Sequence, residues 1–229
     1  MTQELLRFIK NQFFTIIYLI TWLVAVYRYR RYFDTVLKYL PILIIYTFFT
    51  ELLGYFIKYH DDFQFFSDNR YSHFNVIIYT VYQIIFFLFF YRVYWKTLVN
   101  KNSKKIIQYG ALISMVVYII SAFFQNPFLK PLNFAHSFGS VVLVMGLIFY
   151  FKEKSAEKNL FSKKSNLLYW ISIGLFLFYV FFPFIVLSDY LKFDVSIQFH
   201  LRTVLLTAIV LMYSFFIIGL LLGKRQAFR

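Results

Sequence analysis

A few side chains in this sequence combine a reactive type with an unusual place: Glu51, Asn75, Tyr79, Gln83, His136, His200 and Arg202. Glu51 lies in "YTFFTELLGYFIKY", where residues that suit lipid or packed protein flank it for more than a helical turn on either side. A carboxylate is costly there, so it needs a task or a partner. It can hold a proton, a cation or a ligand, or it can bond to its neighbours as packing glue. On a helix, Thr47, Gly54, Tyr55 and Lys58 share its face. In "SHFNVIIYTVYQIIFF", helical spacing lines up Asn75, Tyr79, Tyr82, Gln83 and Phe86. "LNFAHSFGS" gives a stripe of Asn133, His136, Ser137 and Ser140. "QFHLRTVLLT" gives His200, Thr203 and Thr207, with Arg202 on a neighbouring face. The two histidines sit near enough to water to need no special role. Arg202 reads as an interfacial anchor, as a partner for Glu51, or as a contact for an anionic ligand.

Several chemistries lack their residues. With no cysteine, thiolate catalysis, disulfides, Fe–S clusters and thiolate zinc sites are excluded. A retinal Schiff base needs a lysine in the last span, and none occurs between Arg202 and Lys224. Seven-helix zinc hydrolases need several membrane histidines, whereas this chain has 4 and its last span supplies only His200. A mixed Glu51, His136, His200 site has ligands suited to zinc but no supporting spacing. No serine sits in a glycine-rich nucleophile turn, and the 7 glycines form no phosphate loop. The reading therefore leans away from an enzyme and calls for no cofactor and no metal.

The elements that must position these residues follow from composition. The 229 residues are 61% hydrophobic and 24% aromatic, with a mean hydropathy of +0.65. A soluble domain of this length could not hide so much apolar surface. Runs long enough to cross a hydrocarbon core of ~30 Å recur throughout. They predict spans at about 11–28, 37–59, 73–95, 105–125, 132–151, 165–187 and 198–222. Their length and lack of alternation call for helices rather than barrel strands. The expected fold is all-α, a compact seven-helix membrane bundle forming one domain over residues 1–229. The first apolar run ends in "RYRRY" without a small-residue cleavage site, so it reads as a span rather than a signal peptide.

Most of the 24 Lys and Arg residues fall in loops 1–2, 3–4 and 5–6 and in the tail. That places the N-terminus outside and the C-terminus in the cytoplasm. Although the formal net charge is +14, cations spread over short loops fit anionic lipid headgroups rather than nucleic acid. With a rise of 1.5 Å per residue, Glu51 lies ~10–12 Å below the outer end of span 2, level with Tyr79. The outer halves of spans 2, 3, 5 and 7 are thus polar and suggest an outward-facing cavity. The inner halves offer only scattered groups such as Thr21, Gln108, Ser114, Ser172 and Ser214. Tyr and Trp near span ends are assigned to an interfacial aromatic belt.

The segments "YTFFTELLGYF", "NVIIYTVYQIIFFLFFY", "NFAHSFGSVVLVMGLIFYFKE" and "LLYWISIGLFLFY" together resemble a group of small seven-helix membrane proteins of unassigned function, common in Bacteroidetes-type bacteria. Its span-2 Glu, its Asn opening span 3 and its Trp near the start of span 6 correspond to Glu51, Asn75 and Trp170. The resemblance implies a bacterial inner-membrane location and supplies no activity. The expected role is a non-enzymatic sensor, receptor or accessory subunit, taking a small-molecule or lipid ligand and a cytoplasmic or membrane protein partner. A small-molecule or proton-coupled transporter is the alternative, followed by an intramembrane enzyme acting on lipid.

Overall fold

A computed structural model describes residues 13–59, 76–157, 165–188 and 195–224. Within them the chain forms seven α-helices and no strand: α1 (Phe13–Tyr27), α2 (Leu40–Tyr59), α3 (Val76–Thr97), α4 (Lys101–Phe124), α5 (Asn133–Ala156), α6 (Leu167–Ser188) and α7 (Val195–Leu222). Six of them, α2 to α7, are long and apolar enough to cross a membrane. The molecule is an all-α, multi-pass membrane bundle.

The start of α4 follows capping rather than hydropathy. α4 starts at Lys101, ahead of its apolar run, because the Asn100 side chain accepts from the amides of Asn102 and Ser103. Just before it, the Glu153 carboxylate of α5 accepts from the amides of Val99 (2.8 Å) and Asn100 (3.0 Å). A carboxylate at a helix start also meets the positive end of the helix dipole. This anchors the tight α3–α4 connection to the neighbouring helix.

Helix α1 packs on α2 and α7, α7 on α6, α6 on α5, α5 on α3, and α3 on α2. These six close a ring. α4 lies outside it, against α3 and α5, and buries only Ile107, Ser114 and Tyr118. Its Leu112, Val116, Ile119 and Phe123 stay exposed, as a lipid-facing helix requires. Glycines set the closest approach between α6 and α7. A Cβ on Gly174 would lie 2.7 Å from the Met212 carbonyl oxygen, and one on Gly219 would lie 2.7 Å from the Trp170 Cβ. Small residues at such seams let membrane helices gain van der Waals contact where no hydrophobic force separates protein from lipid.

One end of the bundle carries the cationic loops, and its arginines do more than carry charge. Arg28 donates to the Leu221 carbonyl (2.6 Å) and Arg31 to that of Gly223 (3.1 Å). These carbonyls at and beyond the last turn of α7 have no partner within the helix, and a guanidinium suits both their hydrogen-bonding and the dipole's negative end. The Lys224 amide then donates to the Ser165 carbonyl at 2.9 Å, so α1, α6 and α7 are tied together. Tyr32, in the same connection, is 1% exposed and donates to the Ala25 carbonyl at 2.6 Å. Burial, with Tyr29 nearby, pushes its phenol well above the ordinary tyrosine range.

Candidate functional site

Glu51 is half-buried on α2, in the half of the bundle away from the cationic loops. Its Oε2 accepts from the Tyr79 hydroxyl of α3 at 3.1 Å. Gly54 makes this possible. It lies three residues on from Glu51, on the same face, and the Tyr79 ring rests over it. A Cβ at Gly54 would fall 2.9 Å from Tyr79 Cζ and closer still to its oxygen. A glycine below the carboxylate is thus the cradle that lets a rigid phenol reach it.

One turn toward the basic end, Thr47 continues the polar face. Its hydroxyl donates to the Leu43 carbonyl (2.9 Å), lies 3.2 Å from the Tyr82 hydroxyl, and accepts from Tyr213 of α7 at 3.5 Å. The Tyr213 ring contacts Tyr18 of α1 at 4.5 Å between centroids. Gln83 Nε2 donates to the Tyr179 hydroxyl of α6 at 3.1 Å. The ring of helices therefore encloses a core of hydroxyls and one amide, contributed by α1, α2, α3, α6 and α7. Phe86 and Phe87 pack against Tyr179 at 5.7 and 5.5 Å.

His136 belongs to a second group. Its Nδ1 is 2.7 Å from the Tyr118 hydroxyl of α4, and Ser140 donates to its carbonyl at 2.8 Å. Nearby, the Asn133 amide donates to the Val186 carbonyl at 3.3 Å, capping one of the last carbonyls of α6. Asn133 and His136 hence fasten the start of α5 to α6 and α4.

The remaining sequence candidates fall elsewhere. Asn75 and the side chain of Arg202 lie outside the described residues. His200, Thr203 and Thr207 are exposed on α7. The two threonines line a groove of about 260 Å³ with Leu177, Phe181, Val204 and Leu211 on the surface of the α6–α7 seam. α7 enters the polar core through Tyr213 instead.

Tyr18, Tyr179 and Tyr213, each nearly fully buried, are core residues that the sequence reading does not single out, since its interfacial belt covers only rings near span ends. A usable signal was position: each lies several residues inside its span. Toward the basic end, polar groups close on one another. Tyr94 pairs with Ser172 at 2.9 Å, and Tyr91 donates to the Gly139 carbonyl at 2.7 Å with Ser114 at 3.3 Å. Thr21, Thr50, Ser172 and Ser214 each bond back to the carbonyl four residues earlier, a common way for membrane helices to satisfy hydroxyls. The buried hydroxyls of Thr80, Ser137 and Tyr150 find no partner among the described residues. Thr80 and Ser137 lie beside Tyr79 and His136 in the chain, in the half that holds Glu51.

Among the described residues no three metal-ligating side chains converge. The arrangement can accept a hydrogen bond or hold a cation or proton at Glu51. It can also orient a bound group through the surrounding hydroxyls. Comparison with protein-family models, with curated proteins and with solved structures finds no match to this chain.

Proposed function

We propose that this chain is a non-enzymatic protein of a bacterial inner membrane that holds a small cationic or hydrogen-bond-donating ligand at Glu51. The basic end faces the cytoplasm and meets a protein partner there, as in a sensor or an accessory subunit. One observation carries the reading. The carboxylate is half-buried and fixed by Tyr79 in the half of the bundle where the Thr80 and Ser137 hydroxyls find no partner among the described residues. Buried polar groups without partners mark places that water or a ligand completes. The orientation rests on the cation-rich loops, and the bacterial setting rests on the resemblance carried by Glu51, Trp170 and their flanking segments.

The pairing of Tyr91 with Ser114 and of Tyr94 with Ser172 supports binding rather than passage, since a transported solute needs polar groups to hand it onward. Two measurements on the purified chain test this. Thermal unfolding against small organic amines such as choline and putrescine should yield a ligand that stabilises the wild type. Saturation at about 100 times Kd corresponds to ~2.7 kcal/mol, and Glu51→Gln should remove most of that shift. Proteoliposomes should show no proton or amine flux. Flux that Glu51→Gln abolishes would replace this reading with a transporter.

A further inference from the structure

At the basic end, the α1–α2 connection and the last turns of α3 enclose a groove of about 270 Å³. Lys38, Arg92, Lys96 and Thr35 wall it, and Leu88 and Phe89 lie beneath. The three cations are exposed. Among the described residues none of them forms a salt bridge. Lys38 holds its ammonium 4.7 Å over the Tyr39 ring. Asp34 precedes Thr35 in sequence and does not line the groove. Among the described residues, three like charges thus converge on one space from two elements with no carboxylate lining it. A phosphate placed there would relieve their repulsion and take charge-assisted hydrogen bonds from each.

The apolar part of the surface chooses between sources of phosphate. Leu88, Ile85 and Val81 are 43%, 42% and 44% exposed. Their spacing of three and four puts them on one stripe of α3 that climbs from the groove toward the opposite end. Arg92 continues that stripe one turn beyond Leu88. A cationic pocket at the foot of an exposed aliphatic track has the shape of a phospholipid, with headgroup at the end and chain along the helix. Free phosphate would use the cations and leave the track idle.

We propose that this groove is a binding site for one anionic phospholipid, its phosphate held by Lys38, Arg92 and Lys96 and an acyl chain lying along Leu88, Ile85 and Val81. The site is separate from Glu51 and stands whatever Glu51 binds. The test uses the full chain in neutral detergent, titrated with phosphatidylglycerol, phosphatidylcholine or inorganic phosphate, with retained ligand counted by native mass spectrometry. One phosphatidylglycerol should be held at least ~10-fold more tightly than phosphatidylcholine, and phosphate should not compete. The triple variant K38A/R92A/K96A should weaken phosphatidylglycerol by ~10-fold or more. K101A/K105A/K152A removes the same charge from other exposed lysines and should leave affinity within ~2-fold. Leu88→Gln keeps all three cations and should weaken the lipid several-fold. Equal loss in the two triple variants would reduce the effect to diffuse surface charge and overturn the site. So would equal binding of phosphatidylcholine, or phosphate that competes as well as the lipid. An unchanged affinity in Leu88→Gln would overturn the acyl track. Thermal midpoints without added lipid establish that each variant is folded.

Discussion

At the scale of single residues, the Glu51–Tyr79 bond rests on an absence, the missing side chain of Gly54. Tyr79→Phe removes the hydrogen bond and should destabilise the protein by ~0.6–2 kcal/mol, the range for polar contacts inside membranes. Gly54→Ala should reach the same end by another route, because its methyl group displaces the phenol from the carboxylate. In a Tyr79→Phe background the nearest clashing atom is already gone. The double variant should therefore cost less than the sum of the singles, by at least ~0.5 kcal/mol. A double-mutant cycle measured by reversible unfolding in mixed micelles checks this, and strict additivity would show that Gly54 does not serve the bond. The sequence made the partners readable, since Glu51 and Gly54 share a face and Tyr79 lies at the same depth. It did not make Tyr213 or Tyr179 readable. Their mid-span position sets both below a headgroup belt, but helical spacing does not tell a ring that faces lipid from one that lines a hydroxyl core.

At the scale of elements, hydropathy locates membrane crossings and capping locates helices, and the two differ where polar residues continue a helix past the lipid. The expected fourth and fifth spans, about 105–125 and 132–151, became helices Lys101–Phe124 and Asn133–Ala156 because Asn100 and Glu153 support the added turns. Inter-helix seams were harder to read, as a glycine in an apolar run looks alike whether it meets lipid or backbone. Gly174 and Gly110 illustrate the difference. A Cβ at Gly110 would meet the Val142 side chain at 2.8 Å, whereas one at Gly174 would meet the Met212 carbonyl oxygen at 2.7 Å and its Cα at 3.2 Å. A valine can adjust its rotamer, but a helix backbone can only move away. Gly174→Ala should thus cost ~1–3 kcal/mol, the usual penalty for overpacking, and exceed the cost of Gly110→Ala. Matched unfolding curves of the two variants decide it, and a larger loss at Gly110 would mean that the α6–α7 seam yields more easily than its contacts imply.

At the scale of the whole molecule, the cationic end performs two tasks that one substitution can separate. Arg28 and Arg31 contribute to the charge asymmetry on which the proposed orientation rests, and they also hold the carbonyls of Leu221 and Gly223 at the end of α7. Orientation responds to charge alone. Bonding to backbone carbonyls depends on the reach and planar fork of a guanidinium, which a lysine does not reproduce. The double substitution Arg28→Lys and Arg31→Lys should therefore leave the proposed orientation, with a cytoplasmic C-terminus, unchanged. A C-terminal green fluorescent protein should stay bright and a C-terminal alkaline phosphatase silent. The same variant should unfold more easily by ~1–2 kcal/mol, two hydrogen bonds of ordinary strength at a partly exposed site. Hydrogen exchange should rise at Gly223 and Lys224, whose amides bond to Gly219 and Ser165, because the end of α7 loses its clamp. If stability is unchanged, the arginines serve orientation only, and the tie between α1 and α7 lies in the packing of Tyr18 on Tyr213. If the reporters invert, charge count is not what orients this bundle, and the assignment of its basic end to the cytoplasm fails with it.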